Sequence, residues 1–323
     1  MIAHSGEYRK KNGQRGYVMM NNFIFENKTK VYFGKGGVKE YLGGLLANFG
    51  ETVMLAYGGG SIKCNGVYDE IMGILNAQGK CVVEFSGIMS NPTYAKVQDG
   101  AKLARENHVD LILAVGGGSV SDCCKVISGA FDTLSHAMET YFGKPDENNL
   151  SDDINEAVMR SVIRNIRILL TDPENYDARS ELAWASAMAE NGVLKIGKVT
   201  DFQAHQIEHQ LGAYTNCNHG AGLAVIHPVL YRHIYKSGTA RFTRWAQNVW
   251  GIAPKGSDEE TAAAGIDALA AFIKEIGLPT SFAELGIPAD TDFRAVADST
   301  NITAGCCKKL THDEIYEILQ ECL

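Results

Sequence analysis

Apolar residues along this chain follow two regimes that meet near residue 129. From residue 23 onward, short apolar runs alternate with stretches of helical period. KVYF (30–33), TVMLA (52–56), CVVEF (81–85) and VDLILAV (109–115) have the length of strands, and each runs into glycines or turn residues. Residues 67–77 and 94–106 carry the spacing of amphipathic helices. Strands alternating with helices predict a parallel sheet with helices on its faces. After residue 129 the strand-like runs stop. Residues 131–142, 153–170, 178–191, 201–211 and 259–276 read as helices, residues 220–235 form a further apolar stretch, and shorter helices follow. Gly277-Leu278-Pro279 and Gly286-Ile287-Pro288 are stop signals. The expectation is an α/β domain over 19–129 followed by an all-α domain over 130–323, with residues 1–18 as an added arm.

Composition narrows the class. The 323 residues are 45% hydrophobic and 21% charged, which suits a globular protein with a sizeable core. A net charge of −8 with no long basic face argues against nucleic acid or an anionic membrane as partner. No apolar run is long enough to span a bilayer. The eight cysteines include the adjacent pairs Cys123-Cys124 and Cys306-Cys307 and form no CxxC, so reduced thiols in a cytoplasmic protein are expected. Cys217 reads as a packing residue. Residues 1–18 hold Arg9, Lys10, Lys11 and Arg15 without apolar periodicity or a secretory core, and no function is assigned to them.

Two strand ends open into glycines before a helix, Gly58-Gly59-Gly60-Ser61 and Gly116-Gly117-Gly118-Ser119. Small residues let a backbone approach a phosphate, and a helix N-terminus offers unpaired N–H groups. Neither is GxGxxG, so the usual dinucleotide fingerprint is absent. In an open parallel sheet both loops lie at the carboxyl ends of strands, where ligands bind.

Four other side chains carry the candidate chemistry. Asp132 and His136 are four residues apart in FDTLSH. His205 begins HQIEH, with His209 four residues on, and His219 follows in NCNHGAG. On a helix, such pairs share one face. One carboxylate and three imidazoles suit Zn²⁺ or Fe²⁺ in a site that keeps a position open for substrate. His227 and His233 read as hydrogen-bonded structural residues.

These segments together resemble a known family. GGGSVSDCCK (116–125), YGGGSIKCNGVYDEI (57–71), FDTLSHAMETYF (131–142) and HQIEHQLGAYTNCNHGAGLAV (205–225) are similar to the signatures of the iron-containing, or group III, alcohol dehydrogenases, in their butanol dehydrogenase and aldehyde reductase branch. The resemblance implies an N-terminal dinucleotide-binding domain, a helical metal-binding domain and an active site in the cleft between them. It implies that Asp132, His136, His205 and His219 hold a divalent metal, Fe²⁺ first and Zn²⁺ as the alternative. His209 corresponds to a histidine near the nicotinamide that is not a ligand, and is the candidate for proton relay or substrate positioning. Gly116, Gly117, Gly118 and Ser119 correspond to the pyrophosphate loop, with Asp122 a nearby cofactor contact. Gly58, Gly59, Ser61 and Asn91 complete the cofactor-binding candidates. No carboxylate follows the strand at 52–56 to repel a 2′-phosphate, while Ser61 and Lys63 are suited to accept one, so NADP(H) is expected over NAD(H). A homodimer is implied by the resemblance alone.

One departure from the family stands out. Only residues 127–130 separate the helix after the second glycine loop from Phe131, where relatives carry a substantial segment. Such a deletion predicts a sheet with an unpaired edge and puts in question whether the Asp132 helix reaches His205. One competing reading is a catalytically impaired remnant that keeps fold, metal or nucleotide binding, which the short join supports; another is a lyase related to the dehydroquinate synthases, against which HQIEH and FDTLSH argue.

Overall fold

The computed structural model describes residues 24–27, 29–88, 94–116, 123–303, 305 and 307–323. The chain divides into two compact units, Lys28–Val126 and Ile127–Leu323 with residues 24–27.

The first unit holds α1 (Gly37–Leu46), β1 (Thr52–Tyr57), α2 (Ser61–Cys64), α3 (Val67–Ala77), β2 (Cys81–Phe85), α4 (Tyr94–Glu106) and β3 (Leu111–Val115). The strands form a parallel sheet of order β2-β1-β3, with Thr52 opposite Cys81 and Val53 opposite Leu111. β1 lies in the middle, which is why TVMLAY is apolar on both faces and buried almost throughout. Val53, Leu55 and Tyr57 join Leu46, Ile62, Ile71 and Leu75 in one core cluster. Gly100 of α4 lets the helix close on β2: a Cβ there would lie 2.9 Å from the Phe85 ring. Among the described residues β3 is an edge strand, and its Ile112 is 59% exposed.

The run KVYF does not form a strand. Residues 30–33 are irregular, and Val31, Tyr32 and Phe33 are exposed. A strand needs a hydrogen-bonded neighbour, and none of the three strands pairs with this run. Helix α1 directly after it carries Gly43 and Gly44 in its interior, residues that weaken a helical signal.

The second unit is helical: α5 (Cys123–Tyr141, which begins before the division), α6 (Leu150–Thr171), α7 (Tyr176–Glu190), α8 (Gln203–Thr215), α9 (His219–Ile234), α10 (Thr239–Asn248), α11 (Asp258–Glu275), α12 (Phe293–Ser299) and α13 (His312–Glu321). Its core is aromatic, with Phe142 stacked on Phe242 at 4.1 Å and Trp245 edge-on to both. Buried Asp152 accepts from Lys198 at 2.5 Å and faces Arg241 at 2.9 Å, so its charge is compensated. No helix among the described residues is long and apolar enough to cross a membrane.

Candidate metal centre

Three helices of the second unit bring the predicted residues together. α5 places Asp132 and His136 one turn apart, on a helix whose Phe131, Leu134, Ala137 and Met138 are buried. α8 starts just before His205. α9 starts at His219, and the Asn218 side chain caps it by accepting from the Ala221 N–H. The glycines of NHGAG are steric requirements. A Cβ on Gly220 would lie 2.2 Å from the Ser128 carbonyl oxygen, and one on Gly222 2.9 Å from the Glu208 side chain.

Asp132 Oδ1 is the point of convergence. It lies 3.3 Å from His205 Nε2, 3.4 Å from His219 Nε2 and 3.7 Å from His136 Nε2. The ligand atoms of Asp132, His205 and His219 lie within 4.8 Å of one another. The Asp132 helix therefore reaches His205. His136 adjoins the cluster without joining it, and its Nε2 also lies 3.0 Å from Glu190 Oε1.

Two buried carboxylates stand behind the imidazoles. His205 Nδ1 bonds to Glu139, and His219 Nδ1 bonds to Glu208. Glu139 also accepts from the Ala204 N–H at the start of α8, at 2.6 Å. Each carboxylate keeps Nε2 of its imidazole turned toward Asp132. The sequence reading missed both residues. The signal was an acidic residue on an otherwise apolar helical face, three positions after a candidate histidine in HAME and in HQIE.

Electrostatics fit a cation at this point. Burial alone would lower His205, but Glu139 and Asp132 prevail and hold it up at about 9. Burial likewise opposes protonation of His219, yet Asp132 and Glu208 hold it at about 10. Burial would raise Asp132, but the facing imidazoles keep it well below the usual carboxylate range. Burial and the neighbouring His205 push His136 down to about 4. Asp132 Oδ1 and His205 Nε2 are buried with no hydrogen-bond partner. Buried atoms of this kind are satisfied by a metal as readily as by a proton, and the residues fit a divalent ion.

His209 is more open. Its ring stacks beside His219 at 5.3 Å between centroids, and burial with His219 and His205 lowers its pKa. His227 is fully buried, its Nε2 2.6 Å from Ser135 Oγ, and His233 lies 3.2 Å from Glu321. Cys217 is buried against Glu208, and burial pushes its thiol up to about 11, as suits a packing residue.

In the first unit, Gly58 and Gly59 follow β1 and Ser61 opens α2. A Cβ on Gly58 would lie 3.1 Å from the Ile88 carbonyl oxygen, while Gly59 and Gly116 have open space. Lys63 lies 3.6 Å from Glu84, whose carboxylate also accepts from Tyr57 at 2.5 Å and Tyr68 at 2.6 Å. That carboxylate comes from β2, far along the chain from Lys63, and went unread. Asn91, Gly117, Gly118, Ser119 and Asp122 lie outside the described residues.

Comparison with known proteins decides the ancestry. The sequence profile of the Fe-containing alcohol dehydrogenase family, C-terminal, matches residues 126–323, and that of the iron-containing alcohol dehydrogenases matches residues 28–157. The chain belongs to the iron-containing alcohol dehydrogenase family. It is 29% identical to NADH-dependent butanol dehydrogenase A of Clostridium acetobutylicum, over 94% of this chain and 100% of that one. It is 27% identical to the NADPH-dependent aldehyde reductase YqhD of Escherichia coli, over 83% and 90%. The crystal structure of NADH-dependent butanol dehydrogenase A from Thermotoga maritima superposes with a TM-score of 0.86 at 25% identity, covering 94% of this chain and 99% of that one. The clostridial alignment runs over 389 residues, more than the 323 of this chain, so that relative carries residues with no counterpart here.

Proposed function

We propose that this chain, an NAD(P)H-linked oxidoreductase of the iron-containing alcohol dehydrogenase family, acts on small primary alcohols and aldehydes in the manner of a butanol dehydrogenase or aldehyde reductase. The observation that carries the reading is the convergence of Asp132, His205 and His219, with Glu139 and Glu208 fixing the two imidazoles from behind. A bound divalent metal would supply Lewis acidity toward the substrate oxygen, and a bound nicotinamide the hydride. Asp132, His136, His205 and His219 would hold the metal, Fe²⁺ in preference to Zn²⁺. Glu139 and Glu208 keep the Nδ1 protons of His205 and His219 in place, and so present the Nε2 lone pairs. Burial, with His219 and His205 nearby, holds the His209 pKa below the ordinary histidine value. Beside His219, His209 is suited to accept a proton from an alcohol or return one to it.

Cofactor binding in this reading falls to Gly58, Gly59, Ser61 and Asn91 and to Gly116, Gly117, Gly118, Ser119 and Asp122. NADP(H) is favoured because Ser61 and Lys63 follow β1 with no carboxylate between them and Tyr57. A cytoplasmic homodimer with a cofactor domain over 19–129 and a metal domain over 130–323 completes the proposal.

Elemental analysis of the purified protein, paired with an NADPH-oxidation assay against short aldehydes, tests it. Bound iron or zinc with aldehyde-dependent oxidation is the expected result. A protein that holds metal and nucleotide without turnover would instead favour the impaired remnant, to which the exposed β3 edge lends weight.

A further inference from the structure

His136 differs from the other two imidazoles in which nitrogen meets its carboxylate. His205 and His219 offer Nδ1 to Glu139 and Glu208 and leave Nε2 facing Asp132. His136 has Glu190 Oε1 3.0 Å from Nε2, and its Nδ1 is buried with no hydrogen-bond partner. A carboxylate oxygen that close faces a nitrogen carrying a proton, because two opposed lone pairs repel. A metal needs the same nitrogen without its proton. The proton would then move to Nδ1, where no acceptor stands among the described residues. At Nε2 the contact with Glu190 and a bond to metal therefore exclude one another. Glu190 is the last residue of α7, and its side chain is 53% exposed, against 15% for His136. The carboxylate can swing into solvent; the imidazole has little room.

We propose that Glu190 competes with the metal for His136, which makes His136 the exchangeable ligand of a core formed by Asp132, His205 and His219. This inference rests on the metal-centre reading above. It assigns Glu190 a positioning role: the side chain governs how firmly the ion is held and how readily a coordination position opens for substrate.

The test is the rate at which the Zn²⁺-loaded, full-length protein loses its ion to excess EDTA. Glu190→Ala is expected to slow release roughly 10-fold, the scale on which neighbours of ligands alter metal affinity. In a His136→Ala background the same substitution is expected to change nothing, because the competed ligand is gone. With Co²⁺ in place of Zn²⁺, Glu190→Ala is expected to shift the visible bands toward higher coordination, and His136→Ala to cancel that shift. An unchanged or faster release in Glu190→Ala overturns the proposal, as does equal slowing with and without His136. Full metal retention by His205→Ala would instead remove the metal-centre reading on which the inference stands.

Discussion

The carboxylates Glu139 and Glu208 have the strongest claim on this centre after the ligands themselves. Each is almost fully buried, and each spends its charge on the far nitrogen of an imidazole. Glu139→Gln and Glu208→Gln preserve shape but lose that charge. Each is expected to weaken metal binding by about 10- to 100-fold, read as loss of metal on dialysis against a weak chelator; unchanged retention would reduce both to packing residues. Protonation gives a second expectation. His205 and His219, raised to about 9 and 10, stabilise the metal-free fold fully below their unfolded value near 6.5. They lose that contribution as pH climbs through the raised values. A metal must displace those protons, so its apparent affinity should rise between pH 6.5 and 9, by up to about tenfold per pH unit for each proton released. Metal titrations at pH 6.5 and 8.5 decide this, and a flat profile would contradict it.

Among the elements, the start of α9 is the most constrained. A methyl group at Gly220 would collide with the Ser128 carbonyl on α5, and a backbone cannot step aside as a flexible side chain can. Gly220→Ala should cost on the order of 1–3 kcal/mol and separate His219 from Asp132. Thermal melting and metal content would fall together, and a variant normal in both would contradict the close approach. What the sequence disclosed at this scale follows the physics of each signal. Runs of helical period with a polar face, such as 67–77 and 259–276, announced α3 and α11. β1 and β3 announced themselves as short apolar runs ending in glycine. KVYF had the composition of a strand but lacked a partner, and pairing is a long-range property. The pairs Asp132/His136 and His205/His209 were legible because helix geometry fixes i, i+4 neighbours. Glu190 on His136 and Glu84 on Lys63 were not, because both contacts join separate elements. His136 shows the same limit from the other side: helical spacing placed it next to Asp132 but not which way its ring turns.

For the whole molecule, the clostridial relative carries residues that this chain lacks, and the consequence for the cofactor can be measured directly. Nicotinamide binding reports it without requiring catalysis. A titration following nicotinamide fluorescence is expected to saturate with NADPH at lower concentration than with NADH. Lys63→Ala should narrow that gap by roughly tenfold, the worth of one charge-assisted contact to a phosphate. A variant that weakens both cofactors equally would make Lys63 a fold residue tied to Glu84. The β3 edge carries a different consequence. Ile112 stands on a strand that presents open backbone N–H and C=O groups on its outer side among the described residues. Such a border is a template on which another extended chain can zip. Self-association at high concentration is the expected consequence of a strand with no neighbour on that side among the described residues, and Ile112→Lys should reduce it; light scattering that finds both proteins equally monomeric would contradict this.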